Sequence, residues 1–80
     1  MGYARPRPKY LAEKLLQIRH DLRLSQSEMV RRLGVGIPYA FISKYELDKN
    51  EPPLAVLLAY SRVAEVSVER IIDDDLDLFD

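Results

Sequence analysis

Apolar residues recur at helical spacing near the start of the chain. Successive gaps of four, three and four positions separate Leu11, Leu15, Ile18 and Leu22. This spacing places all four on one face of a helix, which we expect to run from about Lys9 or Tyr10 to Leu22. The chain must then turn at Arg23 before the next apolar residue.

Signals at both ends mark a second, shorter helix. Residues 25–28 form a capping box, in which the Ser25 hydroxyl accepts from the Glu28 backbone N–H and the Glu28 side chain reaches back. The expected buried face consists of Met29, Val30 and Leu33. Gly34 ends the helix, because glycine adopts the left-handed conformation at little cost.

The third helix is predicted to begin at Pro38, since proline suits a first helical position, where its missing N–H has no partner. It should continue through Tyr45 or Leu47, and Gly36 extends the turn that precedes it. The side chains expected to face inward are Phe41, Ile42 and Tyr45. Those expected to lie mostly outward are Tyr39, Ala40, Ser43 and Lys44.

Two more helices follow a polar loop at residues 48–52. Pro53 or Leu54 opens the fourth helix. Its wide apolar stripe, which we expect to be buried, comprises Leu54, Leu57, Leu58, Val63 and Ala64. Ser67 can cap a short fifth helix from Val68 to Ile72. Five short helical patterns predict an all-α fold.

Composition narrows the class of protein. Eighty residues make one domain, and a hydrophobic share of 48% suffices for one compact core. The chain has no Cys and only one His, His20, so we expect no metal and no cofactor. No nucleophile–base pair or phosphate loop is visible, which argues against an enzyme. The chain also lacks an apolar run of the roughly 20 residues that span a membrane and the apolar region of a signal peptide, so we expect a soluble, cytoplasmic protein.

Charge is divided unevenly along the chain. Residues 1–40 hold eight Lys or Arg and three Asp or Glu, a net charge of +5, whereas residues 41–80 hold four and ten, a net charge of −6. A basic half can meet phosphate even when the whole chain carries a net charge of −1. Ordinary solvated charges would give the same counts, so composition leaves both interpretations open.

Several short motifs carry a family resemblance across residues 11–72. In chain order they are Leu24-Ser25-Gln26, Leu33-Gly34-Val35, Ile42-Ser43-Lys44-Tyr45-Glu46, Pro52, Leu54 with Leu57-Leu58, and Val66-Ser67. In this order they resemble the Cro/lambda-repressor-type helix-turn-helix family, often called the XRE family. The resemblance implies a compact five-helix lambda-repressor-like domain at residues 10–72. It also implies a homodimeric transcriptional regulator, such as a repressor, that binds double-stranded DNA sequence-specifically with residues 38–47 in the major groove.

The same resemblance implies which side chains of the domain meet DNA. They are Gln26, Tyr39, Ala40, Ser43, Lys44, Lys49 and Asn50. Gln26 would touch a phosphate and support the recognition helix, or merely cap its own helix. Tyr39 would meet base edges or pack over the turn. Glu46 is expected to bond locally or to pair with a nearby Arg.

The flanking segments are predicted to be a flexible basic arm at residues 1–9 and an acidic tail at residues 73–80. Two prolines hold the arm extended, and its cations, Arg5, Arg7 and Lys9, either follow DNA or remain disordered without it. The tail is solvated by default, although its alternating acidic and apolar residues would also suit an added strand or a protein partner. It motivates the alternative function, a protein-interaction module or antitoxin-type partner-binding protein on the same scaffold.

Three departures from the family pattern carry structural expectations. The turn between the second and third helices is about two residues longer than the usual tight version, and Val30 stands where alanine is normal. Arg23, Asp48 and Glu65 occupy positions where glycine is frequent, and each would cost about 1 kcal/mol at positive φ. The first outward residues of the third helix lack the bidentate groups with which Arg reads guanine and Asn or Gln reads adenine.

Overall fold

The structure, a computed structural model, describes residues 7–79. This part of the chain contains five short helices. They are α1 (Leu11–Asp21), α2 (Gln26–Leu33), α3 (Ala40–Glu46), α4 (Leu54–Ala64) and α5 (Val68–Ile72). No strand occurs within residues 7–79, and the predicted all-α class is confirmed. None of the helices in this range is long and apolar enough to cross a bilayer.

The predicted signals at the ends of α2 are confirmed. The Ser25 hydroxyl accepts from the Glu28 N–H at 3.1 Å, and the Glu28 carboxylate accepts from the Ser25 N–H at 2.8 Å. This second bond holds the pKa of Glu28 below its ordinary value. Gly34 follows the helix with a φ of 65°, the left-handed conformation expected of a C-terminal glycine. At the start of α5 the Ser67 hydroxyl accepts from the Arg70 N–H at 3.3 Å, which confirms the predicted cap.

Helix α3 begins at Ala40, two residues after the predicted start at Pro38, so that prediction is wrong. The Phe41 N–H donates to the Pro38 carbonyl at 3.0 Å, and the Ile42 N–H donates to the next carbonyl, also at 3.0 Å. Both bonds span three residues rather than four, so the entry turn is wound more tightly than an α-helix. The regular helix starts only after this turn.

The hydrophobic core lies where α1 and α2 cross the later helices. Helix α1 packs against α3, α4 and α5, and α2 packs against α3 and α4. The side chains that are fully enclosed are Leu15, Ile18, Met29, Ile42, Tyr60 and Ile71. Each helix contributes at least one of them, so the core depends on all five.

The predicted buried face of helix α4 is wrong for two of its residues, Leu54 and Leu58. Leu54 is 78% exposed and Leu58 is 41% exposed. The prediction is confirmed for Leu57, which is buried, and Val63 and Ala64 pack partly buried against the core. The other buried residues of the helix are Val56, Ala59, Tyr60 and Ser61. Leu54 and Leu58 lie one turn apart, opposite the buried face that Val56 and Tyr60 define. Apolar residues surround most of this helix, so their spacing alone did not show which side faces the core.

The C-terminal segment after α5 packs onto α1, and the prediction of a solvated tail is wrong for this part of the chain. Leu78 is only 4% exposed and belongs to the core. The Lys14 ammonium, on a residue that is 7% exposed, donates to the carbonyls of Arg70, Asp73 and Leu76 at 2.8, 2.8 and 2.7 Å. Three carbonyls satisfy all three ammonium donors, so a buried cation needs no carboxylate here. Residue 80 lies outside the described range.

Replacing Leu78 with alanine is expected to lower the free energy of unfolding by about 2 kcal/mol, because the substitution removes enclosed methyl groups from the core. Leu54→Ala is the matched control, since Leu54 is 78% exposed and should change stability by no more than about 0.5 kcal/mol. Urea unfolding of both variants checks the difference. Equal midpoints for the two variants would show that the last residues do not hold the core together.

Candidate nucleic-acid interface

The short helix α3 has one buried face and one open face. Ile42 is fully enclosed and Tyr45 is 3% exposed, as predicted for core residues. Phe41 packs edge-on against Tyr45, with ring centroids 6.2 Å apart. The residues predicted to face outward are exposed, except that Ser43 is half-buried. They are Tyr39, Ala40, Ser43 and Lys44, and Tyr39 is 61% exposed rather than packed over the turn.

A nearly enclosed ion pair fixes the end of α3 to α1. The Arg19 guanidinium donates through Nε and Nη2 to the two carboxylate oxygens of Glu46, at 2.7 and 3.0 Å. The Glu46 side chain is 5% exposed and that of Arg19 is 14% exposed. The bond to Glu46 raises the pKa of Arg19. The expected pairing of Glu46 with an Arg is confirmed, and its two-bond geometry fixes the orientation as well as the distance.

The same carboxylate joins α2 to this assembly. Gln26 Nε2 donates to Glu46 Oε1 at 3.3 Å, from the first residue of α2. Ser25 supplies the cap of α2, so Gln26 is free of that role. A third bond, from Arg19 Nη1 to the Leu24 carbonyl at 3.0 Å, holds the α1–α2 turn. One ion pair therefore sets the relative positions of three helices.

Two residues of this support are missing from the predicted site, Arg19 and Tyr60. Arg19 follows Ile18 at the border of the α1 stripe, and only its pairing with Glu46 shows its role. Tyr60 is fully enclosed, and its hydroxyl has no hydrogen-bond partner among residues 7–79. Burial raises the pKa of Tyr60, and the nearby Glu46 charge adds to this shift. Tyr60 is therefore a buried, neutral side chain close to the ion pair.

The loop after α3 curls back onto the helix end. The Lys49 and Asn50 N–H groups both donate to the Lys44 carbonyl, at 2.9 and 3.4 Å. A positive φ of 60° at Asp48 makes this reversal possible. The three predicted contact residues Lys44, Lys49 and Asn50 are thus brought together, and all are exposed. The Lys44 ammonium also lies 5.1 Å from the centre of the Phe41 ring, a cation–π contact.

The described part of the basic arm reaches the same loop. Arg7 Nη1 donates to the Asp48 carbonyl at 3.0 Å and lies 3.4 Å from its carboxylate. Lys9 is exposed, with its ammonium 5.9 Å from the centre of the Tyr10 ring. Arg5 lies outside the described residues. The structure therefore brings one predicted arm cation beside the loop residues.

The departures predicted from the family pattern are visible in the backbone. Residues 34–39 separate α2 from α3, whereas about three or four residues are usual in such a turn. Gly34 and Gly36 take φ values of 65° and 72° within it. Arg23, Asp48 and Glu65 have φ values of 57°, 60° and 58°, as expected for positions that favour glycine. The longer turn leaves the ion pair, rather than the connection, to position α3.

Solved structures with the same arrangement are known. The P22 c2 repressor, crystallised with a synthetic operator, is 25% identical with a TM-score of 0.72, and the match covers 81% of this chain and 96% of that one. The N-terminal DNA-binding domain of SinR from Bacillus subtilis is 25% identical with a TM-score of 0.71, covering 80% and 91% of the two chains. A chain of the SinR–SinI protein complex is 24% identical with a TM-score of 0.72, covering 81% of this chain and 62% of that chain.

These neighbours are repressor DNA-binding domains rather than enzymes. No protein-family model and no curated protein sequence matches this chain. The resemblance therefore stands on the motif series and on the shared fold, which agree along most of the chain. The chain has the lambda-repressor-like helix-turn-helix fold that these domains share.

Proposed function

We propose that this chain is a sequence-specific DNA-binding regulator that acts as a repressor and places α3 in the major groove. The observation that carries the proposal is the exposed outer face of α3, held rigidly from behind by the Arg19–Glu46 pair at 2.7 Å. An exposed polar helix face on a fixed support suits groove binding, because the helix loses little conformational entropy when it binds. The similarity to a repressor crystallised with its operator supports the same conclusion.

Phosphate contacts are assigned to two places. The first place is the C-terminal end of α3, where Lys44, Lys49 and Asn50 lie together and would contact the phosphates of one DNA strand. Gln26, at the start of α2, would reach the backbone on the other side of the groove, with its amide already oriented by Glu46. These contacts position the domain without reading sequence.

Base contacts fall to the entry of α3. Tyr39 offers a phenolic hydroxyl and Ala40 a methyl group, both exposed. An alanine methyl group can pack against the methyl group of thymine. Neither residue can make the bidentate hydrogen bonds that select guanine. Ser43 adds one hydroxyl from the next turn. We therefore expect a site in which thymine contacts and DNA shape contribute more than guanine readout.

A second copy of the chain would bind the adjacent half-site. Leu47 and Leu54 flank the α3–α4 loop and are 62% and 78% exposed, and Leu58 lies one turn further along α4. Exposed leucines beside a DNA-binding loop provide an apolar surface on which two copies can meet. A symmetric dimer would place two α3 helices about 34 Å apart, one turn of DNA.

Selection of bound duplexes from a random pool tests this function. The expected result is a palindrome whose half-sites lie about one helical turn apart, with a log affinity that falls linearly as log salt rises. Folded protein that enriches no sequence at low salt would contradict the proposal. That result would favour the alternative, a protein-interaction module, for which Phe79, 47% exposed beside Asp77, is the candidate contact.

A further inference from the structure

The two residues before α1, Lys9 and Tyr10, are held by a residue more than sixty positions further along the chain, Asp74. Tyr10, in the N-cap position, makes no side-chain capping bond. The Asp74 carboxylate accepts instead, from the Lys9 N–H at 2.8 Å and from the Tyr10 N–H at 3.0 Å. Two bonds to consecutive amides fix the direction in which the preceding arm leaves the helix.

Asp74 is itself held in place. The Lys14 ammonium of α1 donates to the carbonyls of Asp73 and Leu76, and so holds the backbone on both sides of Asp74. Leu78, four residues beyond Asp74, is enclosed in the core. The Lys9 N–H bond holds the pKa of Asp74 below its ordinary value, so the carboxylate is charged at neutral pH. The anchor of the arm is therefore part of the folded domain.

Residues 7–9, the described part of the arm, connect this anchor to the loop beside α3. Arg7 reaches the Asp48 carbonyl at 3.0 Å, next to Lys49 and Asn50. The side chains of Arg7 and Asp48 are 44% and 62% exposed, and ion pairs this open contribute little. The arm is thus held mainly at Asp74, and Arg7 can exchange Asp48 for a DNA phosphate.

We propose that Asp74 is a positioning residue for DNA binding, which directs Arg7 and Lys9 of the arm toward the phosphates contacted by the loop at residues 48–50. This inference rests on the proposed function. Because Asp74 carries a negative charge, its charge and its positioning role have opposite expected effects on DNA binding. By charge alone its removal would strengthen DNA binding, whereas loss of its positioning role would weaken binding.

The test measures affinity for the duplex selected above with Asp74→Ala and with Asp75→Ala as a control. Asp75 is exposed, and within residues 7–79 its carboxylate makes no hydrogen bond or ion pair. Both substitutions remove one negative charge. Asp74→Ala is expected to weaken binding on the order of tenfold and to reduce the salt slope by about one to two. Asp75→Ala should bind as tightly as the original chain or slightly more tightly.

A double-mutant cycle with Arg7→Ala separates positioning from a general loss of stability. If Asp74 acts through the arm, the loss caused by Asp74→Ala shrinks in the Arg7→Ala background. Asp74→Asn, which retains one acceptor, should give an intermediate loss if Asp74→Ala does not fold.

Three outcomes are decisive. Asp74→Ala that binds as well as the original chain would overturn the inference, and so would an equal loss in both backgrounds. An original chain that binds no selected duplex would remove the proposed function, and this inference with it.

Discussion

Glu46→Ala is expected to lower the free energy of unfolding by about 3 kcal/mol, because it leaves the Arg19 guanidinium without its partner in a largely enclosed site. The Glu46 side chain is 5% exposed and accepts from both Arg19 and Gln26. In a domain of this size the midpoint of thermal unfolding should fall by roughly 10–20 °C. Thermal and urea unfolding measure both quantities.

Glu13→Ala is the control for this prediction. Glu13 is an exposed glutamate on α1, and its replacement should change stability by no more than about 0.5 kcal/mol. Arg19→Ala should destabilise the fold as Glu46→Ala does, and the double variant should lose much less than the two single losses combined. Additive losses would show that the two groups do not act as a pair.

Lys44→Glu is expected to weaken DNA binding on the order of a hundredfold at low salt, because it replaces a cation near phosphate with an anion. Lys44 is exposed on the outer face of α3, and within residues 7–79 its side chain makes only a cation–π contact, with Phe41. Stability should therefore change little while affinity falls. Titration of the selected duplex at several salt concentrations measures the affinity and its salt slope, which should decrease by about one.

Arg62→Glu gives the matched control, because it makes the same change of charge outside α3 and the loop that follows it. Arg62 lies in the last turn of α4, which packs against α1, α2 and α5. Its reversal should weaken binding only through the reduced net charge, by severalfold at most. An Arg62→Glu variant that loses as much affinity as Lys44→Glu would contradict the proposed docking through α3.

The shortness of α3 explains why the support at Glu46 has so large an expected effect. A helix of seven residues without a side-chain cap is not stable by itself. The preceding turn contains two glycines at positive φ and constrains the helix only loosely. Packing of Ile42 and Tyr45 and the bonds of Glu46 must therefore hold α3 against the domain. Loss of that support would disturb every contact that the outer face makes.

Most elements could be predicted from the sequence because their signals are local. The capping box at Ser25 and the glycine at position 34 act within a few residues of the helix end that they define. The positive φ of Arg23, Asp48 and Glu65 agrees with their places in the motif series, where glycine is frequent. The sequence left two alternatives for Glu46, a local bond or a pair with an arginine, and the structure shows the pair with Arg19.

Only the tertiary structure decided which surfaces those elements bury and which distant residues meet. Helix α4 is apolar on most sides, so only the packing shows which of its apolar residues are buried and that Leu54 is exposed. Lys14 and Asp74 bond to groups more than fifty residues away along the chain, a distance at which neither residue spacing nor local propensity carries information. The sequence by itself thus determined the helices and their order. Three-dimensional packing selected the ion pair behind α3 and the anchor of the arm, because contacts between distant residues depend on how whole helices fit together.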